Sequence, residues 1–157
     1  MNYFYGDEYF KFDKYKYGPY SHPLEIITRE IGEFQKYYNL NNTQETYEMA
    51  YKILCSSKID RKLEDLKKAI DLSVTYVNKI KDNKTLEGVC TVLYLIQIGT
   101  DNSVGDITNR FQSWSKDKND RFSIGEIESY ITYLEDTGIV IRNIIGSYEV
   151  VKWKVYH

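Results

Sequence analysis

Side chains able to do covalent or metal chemistry are scarce in this chain. Two histidines, His22 and His157, and two cysteines, Cys55 and Cys90, are all that its 157 residues supply. His22 lies between Ser21 and Pro23 at the foot of an apolar-periodic stretch, which is the place of a helix cap and not of a general base. No Cys–His pair, zinc-ligand spacing or phosphate-cradling glycine run can be written from the residues present. Cys55 and Cys90 each fall in apolar surroundings and read as buried, reduced thiols that pack as small hydrophobes. Carboxylates are plentiful, but Glu126 and Glu128 stand two apart on a helix, so they diverge and do not converge on one substrate. The inventory points to a non-enzymatic chain without metal or cofactor.

Residue types suited to recognition are better represented. Tyrosine occurs 16 times, and Tyr15, Tyr17, Gly18, Pro19 and Tyr20 compose an aromatic turn. A tyrosine offers a large ring and one hydroxyl, which suits core edges and interfaces alike. Both prolines, Pro19 and Pro23, fall in this stretch and fix its path. A second set is acidic. If Ile124, Ile127, Ile131 and Leu134 turn inward on a helix over 123–137, its outer face holds Glu126, Glu128, Ser129, Thr132, Glu135 and Asp136, with no Lys or Arg. A third set is basic: Lys116, Lys118 and Arg121 before that helix, and Arg142, Lys152 and Lys154 after it. Asp117, Asp120 and Glu149 are interleaved with these cations, and residues 101–157 carry seven Lys and Arg against nine Asp and Glu.

The elements that must position these sets follow from periodicity. Residues 3–20 alternate in steps of two and suggest short extended pieces or a small hairpin, and Gly18-Pro19-Tyr20-Ser21-His22-Pro23 then breaks any regular element. Leu24, Ile27, Ile31, Phe34 and Tyr38 mark a helix over 23–38, capped by Ser21 or His22. Thr43 caps a shorter helix with Tyr47, Ala50, Tyr51 and Leu54, and residues 60–81 form a long helix striped by Leu63, Leu66, Ile70, Val74, Val77 and Ile80. The almost continuous apolar run Leu86–Ile98 reads as a helix buried on most sides, followed by a helix with Ile107, Phe111 and Trp114 and a solvated loop over 116–121. Ser123 and Glu126 form a capping box. Ile139–Ile144 and Tyr148–Tyr156 read as two strands. The predicted fold class is mainly α with a small β component: a helical half over 1–82 carrying the aromatic turn, and a winged-helix-like half over 83–157 ending in a β-hairpin.

Composition excludes several classes. Apolar residues are 42% and charged residues 28%, which argues against wholesale disorder. A net charge of −2 argues against a bulk polyanion binder. No apolar run is long enough to span a bilayer, and Met1–Glu8 lacks the pattern of a secretory signal, so a cytoplasmic location is the expectation.

The stretch Lys16-Tyr17-Gly18-Pro19-Tyr20-Ser21, followed directly by a helix, resembles the signature turn of the YwgA-like proteins and of SocA-like (Panacea) domains. Together with Phe111, Trp114, Lys118, Phe122, Ile127, Leu134 and Gly138, it is similar to the C-terminal region of macrodomain antitoxins. The resemblance implies a small, mainly helical, non-enzymatic module that neutralises a partner, of a kind associated with phages and mobile elements. In those families a full helix precedes the turn, whereas here about fifteen residues do, and they read as extended.

The leading expectation is therefore a protein-interaction module, antitoxin-like or anti-defence in type, using the aromatic turn as anchor and the acidic helix face for steering. The alternative is a winged-helix DNA-binding regulator that contacts phosphates through its wing. Carboxylates on the third helix oppose docking of that helix in a groove, because duplex affinity needs the opposite sign. A homodimer formed by edge pairing of the tyrosine-rich segment is a further expectation.

Overall fold

The computed structural model describes residues 10–54 and 57–151. Lys152, Trp153, Lys154 and Cys55 lie outside the described residues. The chain is mainly helical with two short antiparallel hairpins, the second near the C-terminus. It divides into two compact units: Ser21–Val74 belongs to the first, while Asp13–Tyr20 joins the chain from Thr75 onward in the second.

In the first unit, α1 (His22–Tyr38) starts after Ser21, whose backbone is extended and whose side chain makes no capping bond. Pro23 occupies the first turn, where its missing N–H costs nothing. Asn39 ends the helix in the left-handed conformation at φ 51°. The cap of α2 (Thr43–Leu54) is Asn42, not Thr43: its Oδ1 accepts from the Glu45 N–H at 2.9 Å. The long helix α3 spans Ser57–Val77, earlier at both ends than the stripe suggested. None of the α1 residues is buried, and Leu24, Ile27, Ile31 and Tyr38 on its stripe are all exposed.

The second unit holds a dense core. Strand β1 (Asp13–Tyr15) pairs with β2 (Gly18–Tyr20), so Gly18-Pro19-Tyr20 is itself a strand where a break was expected. Gly18 allows this with φ +140°, a conformation that side chains oppose. Helix α4 (Asn83–Ile98) begins at the Asp82 cap and buries Gly88, Val89, Thr91, Val92, Leu95 and Ile96. Cys90, expected inside, is exposed on the other side of the helix. Helix α5 (Val104–Gln112) follows the Ser103 cap and buries Ile107 and Phe111. The stretch expected as a solvated loop is a short helix, α6 (Lys116–Arg121), because Ser115 accepts from the Lys118 N–H and caps it.

Helix α7 (Ile124–Asp136) has the predicted capping box and packs on α4 and α5. Ile127, Ile131 and Leu134 face the core as expected and Tyr130 joins them, but Ile124, in the first turn, is exposed. Gly138 turns the chain at φ 72° into β3 (Val140–Arg142), which pairs with β4 (Tyr148–Val150). Asn102, read from the sequence as part of a helix stop, fastens this hairpin. Its amide donates to the Ile96 and Tyr148 carbonyls at 3.0 Å each, and its own carbonyl accepts from the Tyr148 N–H at 3.0 Å.

Candidate interaction surfaces

The aromatic turn is anchored from beneath. The Trp114 indole N–H donates to the Tyr15 carbonyl at 2.6 Å, and Gly18 comes so close to α4 that an added Cβ would lie 3.4 Å from Thr91 Oγ1. Gly18 is thus buried and positions the turn, Pro19 and Tyr20 are half-buried, and Tyr15 and Tyr17 are exposed. The rings of Tyr15 and Tyr20 lie 5.0 Å apart, and the Lys16 ammonium rests over the Tyr17 ring. The ring atoms available to a partner belong to Tyr15 and Tyr17.

Of the four described members of the basic set, Lys118 and Arg121 are committed within the molecule. Lys118 has a fully buried side chain. Its ammonium donates to Glu87 Oε1 at 2.8 Å and Thr91 Oγ1 at 3.0 Å, and faces the rings of Phe111 and Phe122 at 5.0 and 5.1 Å. Burial pushes the lysine pKa down, and the hydrogen bond and charge of Glu87 oppose that shift. Arg121 shares the same Glu87 oxygen at 2.7 Å and reaches Asp117 at 2.9 Å. Lys118 therefore has no surface to offer a phosphate, and Arg121 is half-buried in two ion pairs. Lys116 and Arg142 are exposed, with the Arg142 guanidinium lying over the Tyr148 ring.

The sequence carries the aromatic half of this arrangement: Lys118 follows Phe111 by seven residues and Trp114 by four and precedes Phe122 by four, whereas nothing in its spacing points to Glu87 or Thr91.

On α7, Glu128 and Asp136 are exposed, and Glu135 is exposed while accepting from the Tyr148 hydroxyl at 3.3 Å. Glu126 differs from them. It bonds the Ser123 N–H at 2.8 Å and pairs with Lys84 at 2.5 Å, and these partners hold its carboxyl down at about 2. Its role is to close the helix terminus and tie it to α4, leaving Glu128, Glu135 and Asp136 as the outward acidic group.

The second hairpin, β3–β4, adds a feature with no counterpart among the sets expected from the sequence. Ile144 and Ile145 at its tip are 106% and 87% exposed, with Ile141 half-exposed behind them. The tip is held in shape by Asn143, whose Oδ1 accepts from the Ser147 N–H at 2.9 Å, and by Gly146 at φ 86°. Isolated exposed apolar residues are ordinary, but two adjacent ones at the apex of a braced turn form a presented apolar knob. Among the described residues no cluster of metal-ligating side chains occurs, and no helix is long and apolar enough to cross a membrane. No protein-family model matches the chain, and no curated protein or solved structure shows significant similarity to it.

Proposed function

We propose that the chain is a protein-interaction module, antitoxin-like or anti-defence in type, that binds and neutralises a protein partner in the cytoplasm. The observation that carries this reading is the wing tip: where a nucleic-acid wing needs cations, this one presents Ile144 and Ile145. The acidic face of α7 supports it, since Glu128, Glu135 and Asp136 repel phosphate and attract a basic protein surface. The exposed rings of Tyr15 and Tyr17 add aromatic contact area of the kind enriched at interfaces. The likeness of the Lys16–Ser21 turn to antitoxin-type domains points the same way.

Two measurements test it together. Tagged protein recovered from its host is expected to retain a stoichiometric protein partner, lost in the double variant Ile144→Asp, Ile145→Asp. Titration with random-sequence duplex DNA is expected to show no saturable binding at low salt. Duplex binding that weakens steeply with salt and disappears when Lys116, Arg142, Lys152 and Lys154 are made Ala would replace this reading with the DNA-regulator alternative.

A further inference from the structure

We propose that a groove beside the first hairpin is a docking site for a short acidic, apolar segment of a partner protein. One aliphatic side chain of that segment seats against Tyr94, Ile98 and Trp114, and a neighbouring carboxylate pairs with Lys14. This rests on the protein-binding reading but uses residues distinct from the wing and from α7.

The groove has a volume of about 270 Å³. That falls below the roughly 300–1,000 Å³ typical of small-molecule sites and suits one large side chain of a longer segment. Two of its walls brace each other: the Tyr94 and Trp114 rings meet edge to face at 5.7 Å, and the Trp114 indole N–H is bonded to the Tyr15 carbonyl. Ile98, in the last turn of α4, lines the groove while 60% exposed, an apolar surface that a visiting aliphatic group would cover.

Charge decides which segment fits. Two cations line the groove. Arg110 is already occupied, by Asp106 at 2.6 Å, the Leu95 carbonyl at 2.8 Å and Asn102 Oδ1 at 2.7 Å. Lys14 is exposed, holds its ammonium 5.1 Å above the Trp114 ring, and pairs with no carboxylate among the described residues, its neighbour Asp13 included. Lys16 is exposed on the same hairpin. An apolar groove rimmed by an uncommitted ammonium selects an apolar side chain flanked by carboxylate and disfavours a basic segment.

The test is an NMR titration of the full chain, carrying Trp153→Phe so that the Trp114 indole N–H gives the single indole signal. Three peptides serve as probes: acetyl-Glu-Leu-Asp-Glu-amide, its analogue with Gly in place of Leu, and acetyl-Lys-Leu-Lys-Lys-amide. The acidic leucine peptide is expected to shift the Trp114 indole and Ile98 amide signals saturably, and the other two are not. Lys14→Glu is expected to weaken binding roughly tenfold and Ile98→Asp to abolish it. Both positions are exposed, and unchanged thermal unfolding of the two variants separates lost binding from lost folding. Absence of saturation up to about 10 mM peptide, or equal binding of the glycine or lysine peptide, overturns the proposal. If the groove fails while partner capture still depends on Ile144 and Ile145, the protein-binding reading stands without it. If both fail, that reading falls as well.

Discussion

Helices α1–α3 and helices α4–α7 are written in the same amphipathic code but differ in what that code encloses. On α1 the stripe Leu24, Ile27, Ile31 and Tyr38 stays 37–46% exposed, and on α3 Ile70, Val74 and Val77 are also exposed. On α4, α5 and α7 the equivalent positions Val92, Ile107, Ile127 and Leu134 are completely buried. The difference lies in close-fitting partners. Helix α4 has Gly88 where Tyr130 of α7 lies against it, Thr91 where Gly18 approaches, and Asn102 just beyond its end to hold the second hairpin. Helical spacing specifies a helix, but only such paired small and large, donor and acceptor positions specify a core.

The largest test of that contrast is Lys118. Lys118→Ala strips the ammonium from buried Thr91 and from Glu87 and opens a hole between two aromatic rings. A loss of about 3–5 kcal/mol is expected in urea unfolding. Lys118→Met, which keeps the length and leaves Arg121 on Glu87, is expected to recover part of it. Ile31→Ala on the exposed stripe of α1 is expected to cost less than about 1 kcal/mol. Equal losses for Lys118→Ala and Ile31→Ala would erase the contrast.

A glycine pair reverses sign between the two regions. Gly88 and Gly32 both lie inside helices, where alanine is intrinsically favoured by about 1 kcal/mol. A Cβ at Gly88 would overlap the buried ring of Tyr130, whereas at Gly32 nothing lies within 4 Å. Gly88→Ala is expected to destabilise by about 1–3 kcal/mol and Gly32→Ala to stabilise by about 0.5–1 kcal/mol, read as opposite shifts of the urea midpoint. Stabilisation by both would mean that α4 and α7 are not in close contact.

What the sequence made legible divides along the same line. Elements set by local rules were readable: the capping box of Ser123 and Glu126, the stop at Gly138, the helical stripes and the terminal hairpin all depend on neighbours within a turn or two. What depended on distant partners was not. Burial of Lys118 requires Glu87, which lies 31 residues away, and Asn102 acquires its role only through the Tyr148 carbonyl 46 residues on. The same holds for the candidate surfaces. The outer face of α7 was visible as an acidic set, but Glu126 left it by pairing with Lys84, 42 residues earlier. The groove at Lys14 brings residues 14 and 114 beside Tyr94 and Ile98, which stand four apart on α4, and no periodicity connects these three parts of the chain.

The smallest expected effect compares two carboxylates that each pair with a lysine. Glu126 pairs with Lys84 from α7 to the start of α4 and also accepts from the Ser123 N–H, which lowers its pKa from an ordinary 4.5 to about 2. Glu33 pairs with Lys36 within α1, and its pKa is lowered too, but both side chains are open to water. A carboxyl whose folded pKa is depressed contributes stability that is complete above its unfolded value and fades as pH falls through the folded one. Glu126→Gln keeps the reach of the capping box and removes only the charge. With both partners more than a third exposed, the loss at pH 7 is expected to be held to about 1 kcal/mol by solvent screening. The gap between variant and parent should begin to close below about pH 4.5 and be mostly gone by about pH 2, where half of the parent carboxyls are themselves neutral. Glu33→Gln is expected to leave the urea midpoint unmoved at every pH, because water already solvates that pair as well as the lysine does. A gap for Glu126→Gln that stays constant down to pH 2 would assign its effect to lost packing instead of charge, and the tie between α7 and α4 would then be steric alone.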